Sequence, residues 1–390
     1  MPLSHQPVLK HFDIVVIGSG PAGAAAAFVA AGKGLRVALV DRQSFPRDKL
    51  CGGGVTGRAL SVYKQIFASI PPNLDKITRF EFHAHGQACG VLEHMPPMYL
   101  TTRLSLDNAA HQLALDVGAV QITDQLLHVD EAQSRITLRS GDQLSYKVLI
   151  GADGINSRVA RHLFGQSFVE NKVGFALEVQ ARPQPDNHTI RIDFGAANWG
   201  YGWQFPKSGA VTIGVGGLQT KNPDLAQSLT AYMNMLGEPE LKVKGHHLPF
   251  GHFLKSPGRG NILLCGDAAG LVDPITGEGI AHALFSGAAA AEVAAKACTP
   301  GANINTTREY QARLTDIHKS LRIARALRTL IFAAPFQNLA ARSLAGSGSL
   351  RATYLGLLAG DLEYPTFLRR VATRLPSLLK QTVFPKRPML

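Results

Sequence analysis

Gly18-Ser19-Gly20-Pro21-Ala22-Gly23 follows the apolar run Ile14-Val15-Val16-Ile17, opens an alanine-rich stretch, and is answered by Asp41 at the end of a second apolar run. The pattern predicts a buried strand over 12–17, a helix over 21–33 and a second buried strand over 35–40, which is βαβ order. Gly18 permits the tight turn after the strand, Gly20 lets backbone approach a pyrophosphate, and Gly23 lets helix pack close to strand. Phosphates then sit at the positive end of the helix, where free N–H groups point outward. Asp41 stands where a carboxylate accepts hydrogen bonds from ribose hydroxyls, which selects a free 2′-hydroxyl, hence FAD or NAD and not NADP.

Outward from this unit, a helix is expected over 104–117, closed by Gly118, then short strands of which 147–150 is the clearest, followed by Ala152-Asp153-Gly154. In the middle the period becomes two: Val173, Phe175, Leu177, Val179 and Ala181, then Ile190, Ile192 and Phe194, then Val211, Ile213 and Val215. This predicts an antiparallel sheet with one buried face. The strand 262–265 returns to buried-parallel character and runs into Gly266-Asp267, and a small-residue helix follows over 279–298. Beyond it the chain is mostly helical, interrupted at Pro335, Pro365 and Pro376. The expected organisation is a discontinuous Rossmann-like α/β domain (11–75, 101–165 and 257–299), an inserted antiparallel-sheet substrate domain (76–100 and 166–256) and a helical region (300–390).

With 390 residues, 45% hydrophobic and 17% charged, the chain carries enough apolar material for a folded, multi-unit protein. No secretory signal and no run long enough to span a membrane are read, and Cys51, Cys89, Cys265 and Cys298 form neither a CxxC pair nor a zinc spacing, so a reduced cytoplasmic protein is expected. His83 and His85, at strand spacing, are taken as surface or site-lining imidazoles on one face. Residues 301–390 hold 14 Lys/Arg against 4 Asp/Glu, a surplus of 10 out of the net charge of +12.

At this point the sequence resembles the geranylgeranyl reductase family, within the flavoproteins built like para-hydroxybenzoate hydroxylase. The resemblance rests on the N-terminal glycine unit, on Phe45-Pro46-Arg47-Asp48-Lys49-Leu50-Cys51-Gly52-Gly53-Gly54, on Gly151-Ala152-Asp153-Gly154, and on Cys265-Gly266-Asp267-Ala268-Ala269-Gly270 through Pro274 and Gly277-Glu278-Gly279. It implies bound FAD, with Gly266 and Asp267 at the ribityl chain and backbone N–H groups around Gly277, Gly279 and Ile280 facing the ring. It also implies that Asp153 and Gly154 support the pyrophosphate and that Arg103 lies near the phosphates. Arg103 is equally readable as a surface residue at a helix start. Pro21, Ala22, Arg42, Cys51 and Gly52 complete the candidate cofactor contacts.

Gly200-Tyr201-Gly202-Trp203-Gln204-Phe205-Pro206-Lys207 is similar to the aromatic segment that the reductases place over the substrate side of the flavin; an aromatic strand filling the sheet is the plainer reading. Cys51, ahead of three glycines, is a candidate proton donor with Arg47 and Lys49 lowering its pKa, or else a small buried residue. Cys265 reads as core. The resemblance implies reduction of C=C bonds in a polyprenyl substrate, with NAD(P)H reducing the flavin first. Flavin-dependent hydroxylation and a flavin sensor or binding module are the other readings. The expected partner is a hydrophobic small molecule or lipid, and no nucleic acid. The basic helical pattern from Arg308 to Arg342 and the tail from Phe367 to Leu390 fit either peripheral attachment to an anionic membrane surface or a solvated basic face.

Overall fold

The computed structural model describes residues 8–183, 188–250, 252–333, 343, 346–370, 372 and 373. A six-stranded sheet runs in the order Gly258–Arg259, Ile262–Leu264, Val148–Gly151, Ile14–Ile17, Val37–Asp41, Val120–Thr123, parallel throughout except for the first pair. The residues of Ile14–Ile17 and Val148–Gly151 are all buried, as continuous apolar strands covered on both faces must be.

Helices Pro21–Ala31 and Ile280–Cys298 pack on this sheet side by side. Their interface is made of alanine and glycine: a Cβ on Gly287 would lie 2.0 Å from the carbonyl oxygen of Ala22. Helix Arg103–Asp116 begins one residue before its expected start because Thr102 caps it, its hydroxyl accepting from the Ser105 amide. A four-stranded sheet (Leu9–His11, Gln143–Ser145, Arg135–Leu138, Leu126–Asp130) shares the same core.

The second layer is a seven-stranded sheet in the order Lys244–Leu248, Gly174–Ala181, Ala210–Leu218, Gly200–Lys207, Thr189–Phe194, Arg79–Ala84, Gln87–Leu92. It is antiparallel except where Thr189–Phe194 runs parallel to Arg79–Ala84. The expectation of one buried face is wrong. Leu177, Val179, Ala181, Val211, Ile213 and Val215 pack under helix Leu225–Leu236. Ile190, Ile192 and Phe194, which share their periodicity, lie on the opposite face with Phe80, Phe82, Trp203 and Phe205. The register fixes this: Ile192 pairs with Trp203, Trp203 with Gly214, and Gly214 with Glu178, so these four share a face.

That second face is covered by helix Gly348–Ala359 through Tyr354, Leu355 and Leu358. Helix Thr315–Phe332 also turns its apolar stripe inward: Leu321, Ala324 and Phe332 are buried, and Ile323, Leu327 and Ile331 pack against the same cores. Arg328 is half-buried and donates to the Phe250 carbonyl oxygen (2.8 Å), so it leaves the basic face to Lys319, Arg322 and Arg325. Arg342, Pro335, Pro376 and the tail 374–390 lie outside the described residues. No helix among the described residues is long and apolar enough to cross a membrane.

His83 and His85 do not share a strand face. Arg79–Ala84 ends before His85, which takes a left-handed turn conformation (φ +52°), and His83 is buried with its Nε2 2.7 Å from the Glu81 carboxylate. No group of three metal-ligating side chains occurs among the described residues.

The ring of Trp203 lies flat on the glycines opposite it, and a Cβ on Gly214 would fall 2.2 Å from the indole. Gly214→Ala is therefore expected to cost about 1–3 kcal/mol by overpacking, read as a lower urea midpoint with a shift in tryptophan emission. An unchanged midpoint would mean that the ring does not rest there.

Candidate active site

A cleft of about 800 Å³ runs between the parallel sheet and the seven-stranded sheet, lined at one end by the glycine turn and at the other by the aromatic strand. Gly18 (φ +95°) donates its amide to the Val40 carbonyl oxygen, and a Cβ on it would sit 2.4 Å from the Ala152 oxygen. A Cβ on Gly23 would sit 1.7 Å from the Gly18 oxygen. Gly20 is different. The atoms nearest its missing Cβ are the guanidinium nitrogens of Arg47 (3.6 Å) and Arg103 (3.8 Å), so it faces a hollow walled by two cations.

Arg103 grips Asp107 with two hydrogen bonds (2.6 and 2.7 Å), and Arg47 reaches the same carboxylate at 3.3 Å. Burial works against the Arg103 charge, but Asp107 outweighs it and holds the guanidinium protonated. Arg103 is only 7% exposed, which overturns the surface reading. Arg47 also reaches Asp41 at 4.0 Å, so both guanidiniums stand beside Gly20 and the N-terminus of helix Pro21–Ala31, which has Pro21 in its first turn, buried Ala22 next to it and no side-chain cap.

Asp41 is oriented by two backbone amides, those of Ser19 (2.8 Å) and Gln43 (3.0 Å), at the rim where exposed Arg42 also lines the cleft. Ser19 is in turn held by His111 (2.6 Å), which stacks on Phe45. Asp153 reaches the cleft wall, but its carboxylate accepts from Ser157 Oγ (2.5 Å) and from the Arg158 and Val159 amides. It satisfies the first two amides of helix Arg158–Phe164, whose N-cap is Ser157, and it lies next to the turn at Gly154 (φ +77°).

Toward the middle of the cleft, Asp267 meets Lys49 at 3.7 Å, and the Gly266 amide donates to Ser286 Oγ. Burial, then repulsion from Arg103, pushes the Lys49 ammonium down. The loop after it is locked by buried Asp273, which accepts from the Ile275 and Thr276 amides and from the Tyr364 hydroxyl (2.6 Å). The Gly277 and Glu278 amides are spent inside this loop, on the Asp273 carbonyl oxygen and Thr276 Oγ1. This narrows the expected donors to Gly279 and Ile280, at the N-terminus of helix Ile280–Cys298, which likewise has no side-chain cap. Tyr201 ties the two layers together by donating to the Thr276 carbonyl oxygen (2.6 Å).

On the sheet side the cleft face has two halves. Tyr201, Trp203, Phe205 and Ile192, with Tyr354 and Leu358 above them, form an apolar half. Lys244, His246 and Glu178 form a polar edge, with His246 paired to Ala176 and Lys244 to Glu178 across the strands. Burial, followed by repulsion from Lys49, holds the His246 imidazole down to about 4, and its Nε2 has no partner. Cys51 is half-buried where the glycine loop crosses this face: a Cβ on Gly52 would lie 3.0 Å from the Phe205 ring and 3.2 Å from Trp203 Nε1. Arg47 and Lys49 are engaged by Asp107 and Asp267. Arg103 and Lys207 are two further cations that interact electrostatically with Cys51. Cys265, 1% exposed, is core as expected.

Sequence reasoning missed Arg47 as a cofactor-side cation, and it missed Glu178, His246 and Asp273 altogether. For Glu178 the signal was present: a lone acid inside the alternating run 173–181.

Two uncapped helix N-termini, a hollow beside Gly20 that a Cβ would fill, and Asp41 and Asp267 spaced along one cleft fit FAD: phosphates at Gly20 between Arg47 and Arg103, ribose at Asp41, ribityl at Asp267 and the ring's polar edge at Gly279 and Ile280. Gly20→Val is expected to keep the urea midpoint close to wild type while FAD binding weakens at least about tenfold. Gly23→Val, which collides with backbone, should lose the fold itself. FAD retained normally by Gly20→Val would contradict the assignment.

The family model for FAD dependent oxidoreductases matches residues 13–136. Menaquinone reductase of Mycobacterium tuberculosis is 34% identical over 72% of this chain and 76% of its own length. Geranylgeranyl diphosphate reductase of Rhodobacter capsulatus is 29% identical over 73% and 75%. A geranylgeranyl bacteriochlorophyll reductase-like protein from Thermoplasma acidophilum superposes with a TM-score of 0.76, at 19% identity, over 96% of this chain and 98% of its own. The glycine turn, the paired helix N-termini and these relatives agree: the chain belongs to the geranylgeranyl reductase family of FAD-dependent oxidoreductases.

Proposed function

We propose that this enzyme reduces a C=C bond in a polyprenyl chain with electrons from NAD(P)H. The observation that carries the reading is the apolar half of the cleft, in which Trp203, Phe205, Ile192, Tyr354 and Leu358 lead to the loop at Gly277–Ile280. Menaquinone and geranylgeranyl diphosphate, named in two relatives, both bear polyprenyl chains, which supports the same substrate class. At about 0.8 kcal/mol per buried CH₂, each isoprene unit taken into the slot stabilises the complex by about 3 kcal/mol, enough for a hydrocarbon tail to dominate recognition.

Bound FAD supplies two-electron storage, filled from NAD(P)H and emptied onto a substrate carbon. The protein's own share is placement and exclusion of water. Tyr201 holds the Thr276–Gly277 turn against the sheet, so that the slot and the uncapped helix start keep a fixed separation. Trp203 and Phe205 form the floor, and the loop from Cys51 to Gly54 crosses it.

With menaquinone or geranylgeranyl diphosphate and NAD(P)H, the expected product under strictly anaerobic conditions carries two added hydrogens in its polyprenyl chain. Mass spectrometry of a product that forms only in air and carries an added oxygen would favour hydroxylation instead. Leu358→Trp, which narrows the slot, is expected to raise KM for either polyprenyl probe at least about tenfold while FAD content stays at the wild-type level.

A further inference from the structure

The substrate side of the cleft contains one carboxyl group whose chemistry is unassigned. Glu178 is 3% exposed on the cleft face of strand Gly174–Ala181, opposite Gly214 and on the same face as the Trp203 indole that packs on that glycine, and it lines the cleft. Its Oε1 accepts from the Cys51 amide (3.3 Å), and its Oε2 is buried without a partner. Other acids of the cleft are occupied: Asp267 by Lys49, and Glu278 by Thr56 and Arg58. Asp273, just behind them, is taken up by two amides and Tyr364.

An ionised carboxylate with an empty oxygen in such a place is unfavourable, so the group keeps its proton; burial pushes it up to about 7, with Lys207 pulling the other way. The groups that face it are Asp48 and Cys51 on the glycine loop, Lys207 on strand Gly200–Lys207, and Lys244 and His246 on the edge strand. Lys207 is satisfied by Thr212 Oγ1 (2.7 Å), and Lys244 by Asp48 (2.6 Å). Neither forms an ion pair with Glu178 that would lock it as a carboxylate.

We propose that Glu178 is the acid that delivers the proton consumed when the substrate double bond is reduced. This assignment rests on the function proposed above. Reduction needs a hydride, from the reduced flavin, at one carbon and a proton at the other. The Glu178 O–H bond breaks, the π electron pair of the alkene forms the new C–H bond, the flavin is left oxidised by two electrons, and the carboxylate is reprotonated by water. A general acid that titrates near neutrality is half loaded at working pH, and such acids contribute about 10²–10⁴ in rate. Cys51 is then the residue whose amide positions the acid, and its thiol is the rival donor.

The test has two arms on the FAD-loaded full chain. The first needs no substrate. The unfolded chain ionises this carboxyl in the ordinary acid range while the native chain holds the proton to about 7, so native stability declines as pH rises through that window. Glu178→Gln lacks the decline, and its thermal midpoint minus that of wild type is expected to be larger at pH 8 than at pH 5. A difference independent of pH overturns the proposal.

In the second arm, photoreduced enzyme is mixed anaerobically with geranylgeranyl diphosphate or menaquinone, and the rate at which the polyprenyl chain gains two hydrogens is followed from pH 5.5 to 9. Wild type and Cys51→Ser should slow with a break near neutrality, Glu178→Gln should be at least about 100-fold slower without a break, and Glu178→Asp should restore the break. A break that vanishes in Cys51→Ser and persists in Glu178→Gln assigns the proton to the thiol and overturns the proposal. If neither probe gains hydrogens in its polyprenyl chain with wild-type enzyme, the polyprenyl reading fails, and the first arm still decides whether Glu178 holds a proton.

Discussion

The site depends on how closely two helices approach. Pro21–Ala31 and Ile280–Cys298 meet where Gly287 lies against the Ala22 backbone, at a distance no side chain survives, and both helices are rich in buried alanine. Small residues let the axes come together, and the two uncapped N-termini then open side by side into one cleft at the ends of parallel strands. One terminus has Gly20, Arg47 and Arg103 beside it; the other has Gly279 and Ile280, with Asp267 between the two. Each exposed helix end contributes only about 0.3–1 kcal/mol toward a negative group. The gain from the pair is therefore geometric more than energetic, because it fixes where phosphates and a ring edge can lie along the same molecule.

The second layer answers with a sheet used on both faces. One face closes under Leu225–Leu236, and the other forms the cleft floor, completed by Tyr354 and Leu358 from far along the chain. Gly214 and Gly216 lower the floor so that the Trp203 ring lies on it, and Tyr201 pins the floor to the loop at Thr276. The polar edge at Glu178 and His246 therefore faces the same cavity as the apolar slot, and one substrate can meet both.

Much of this was legible in the sequence. Buried parallel strands read as unbroken apolar runs, and glycines placed where backbone meets backbone betray the turn at Gly18–Gly23 and the one at Gly266. What could not be read is whatever depends on which face of an alternating strand looks at what. Ile192 and Ile213 belong to runs of the same period but lie on opposite faces, because a strand's phase says nothing of its neighbour's register. Glu178 sat on the face assumed to meet solvent. Arg103 was readable either as a phosphate-side arginine or as a helix-start surface residue, because its partner Asp107, one turn on, becomes decisive only once Arg47 arrives from another loop. Likewise the apolar stripe of Thr315–Phe332 has the same pattern whether it meets a bilayer or the protein, and the fold supplies the protein.

In the proposed complex a dinucleotide stretches from Gly20 to Ile280 and presents its ring to a polyprenyl slot. A crystal structure of the FAD-loaded enzyme soaked with menaquinone tests it most directly. The expected electron density shows the pyrophosphate at the Gly20 amide between Arg47 and Arg103, the pyrimidine edge of the ring at the Gly279 and Ile280 amides, and the isoprenoid tail against Trp203, Phe205 and Leu358. A ring turned away from the aromatic strand, or a tail bound outside the cleft, would contradict it.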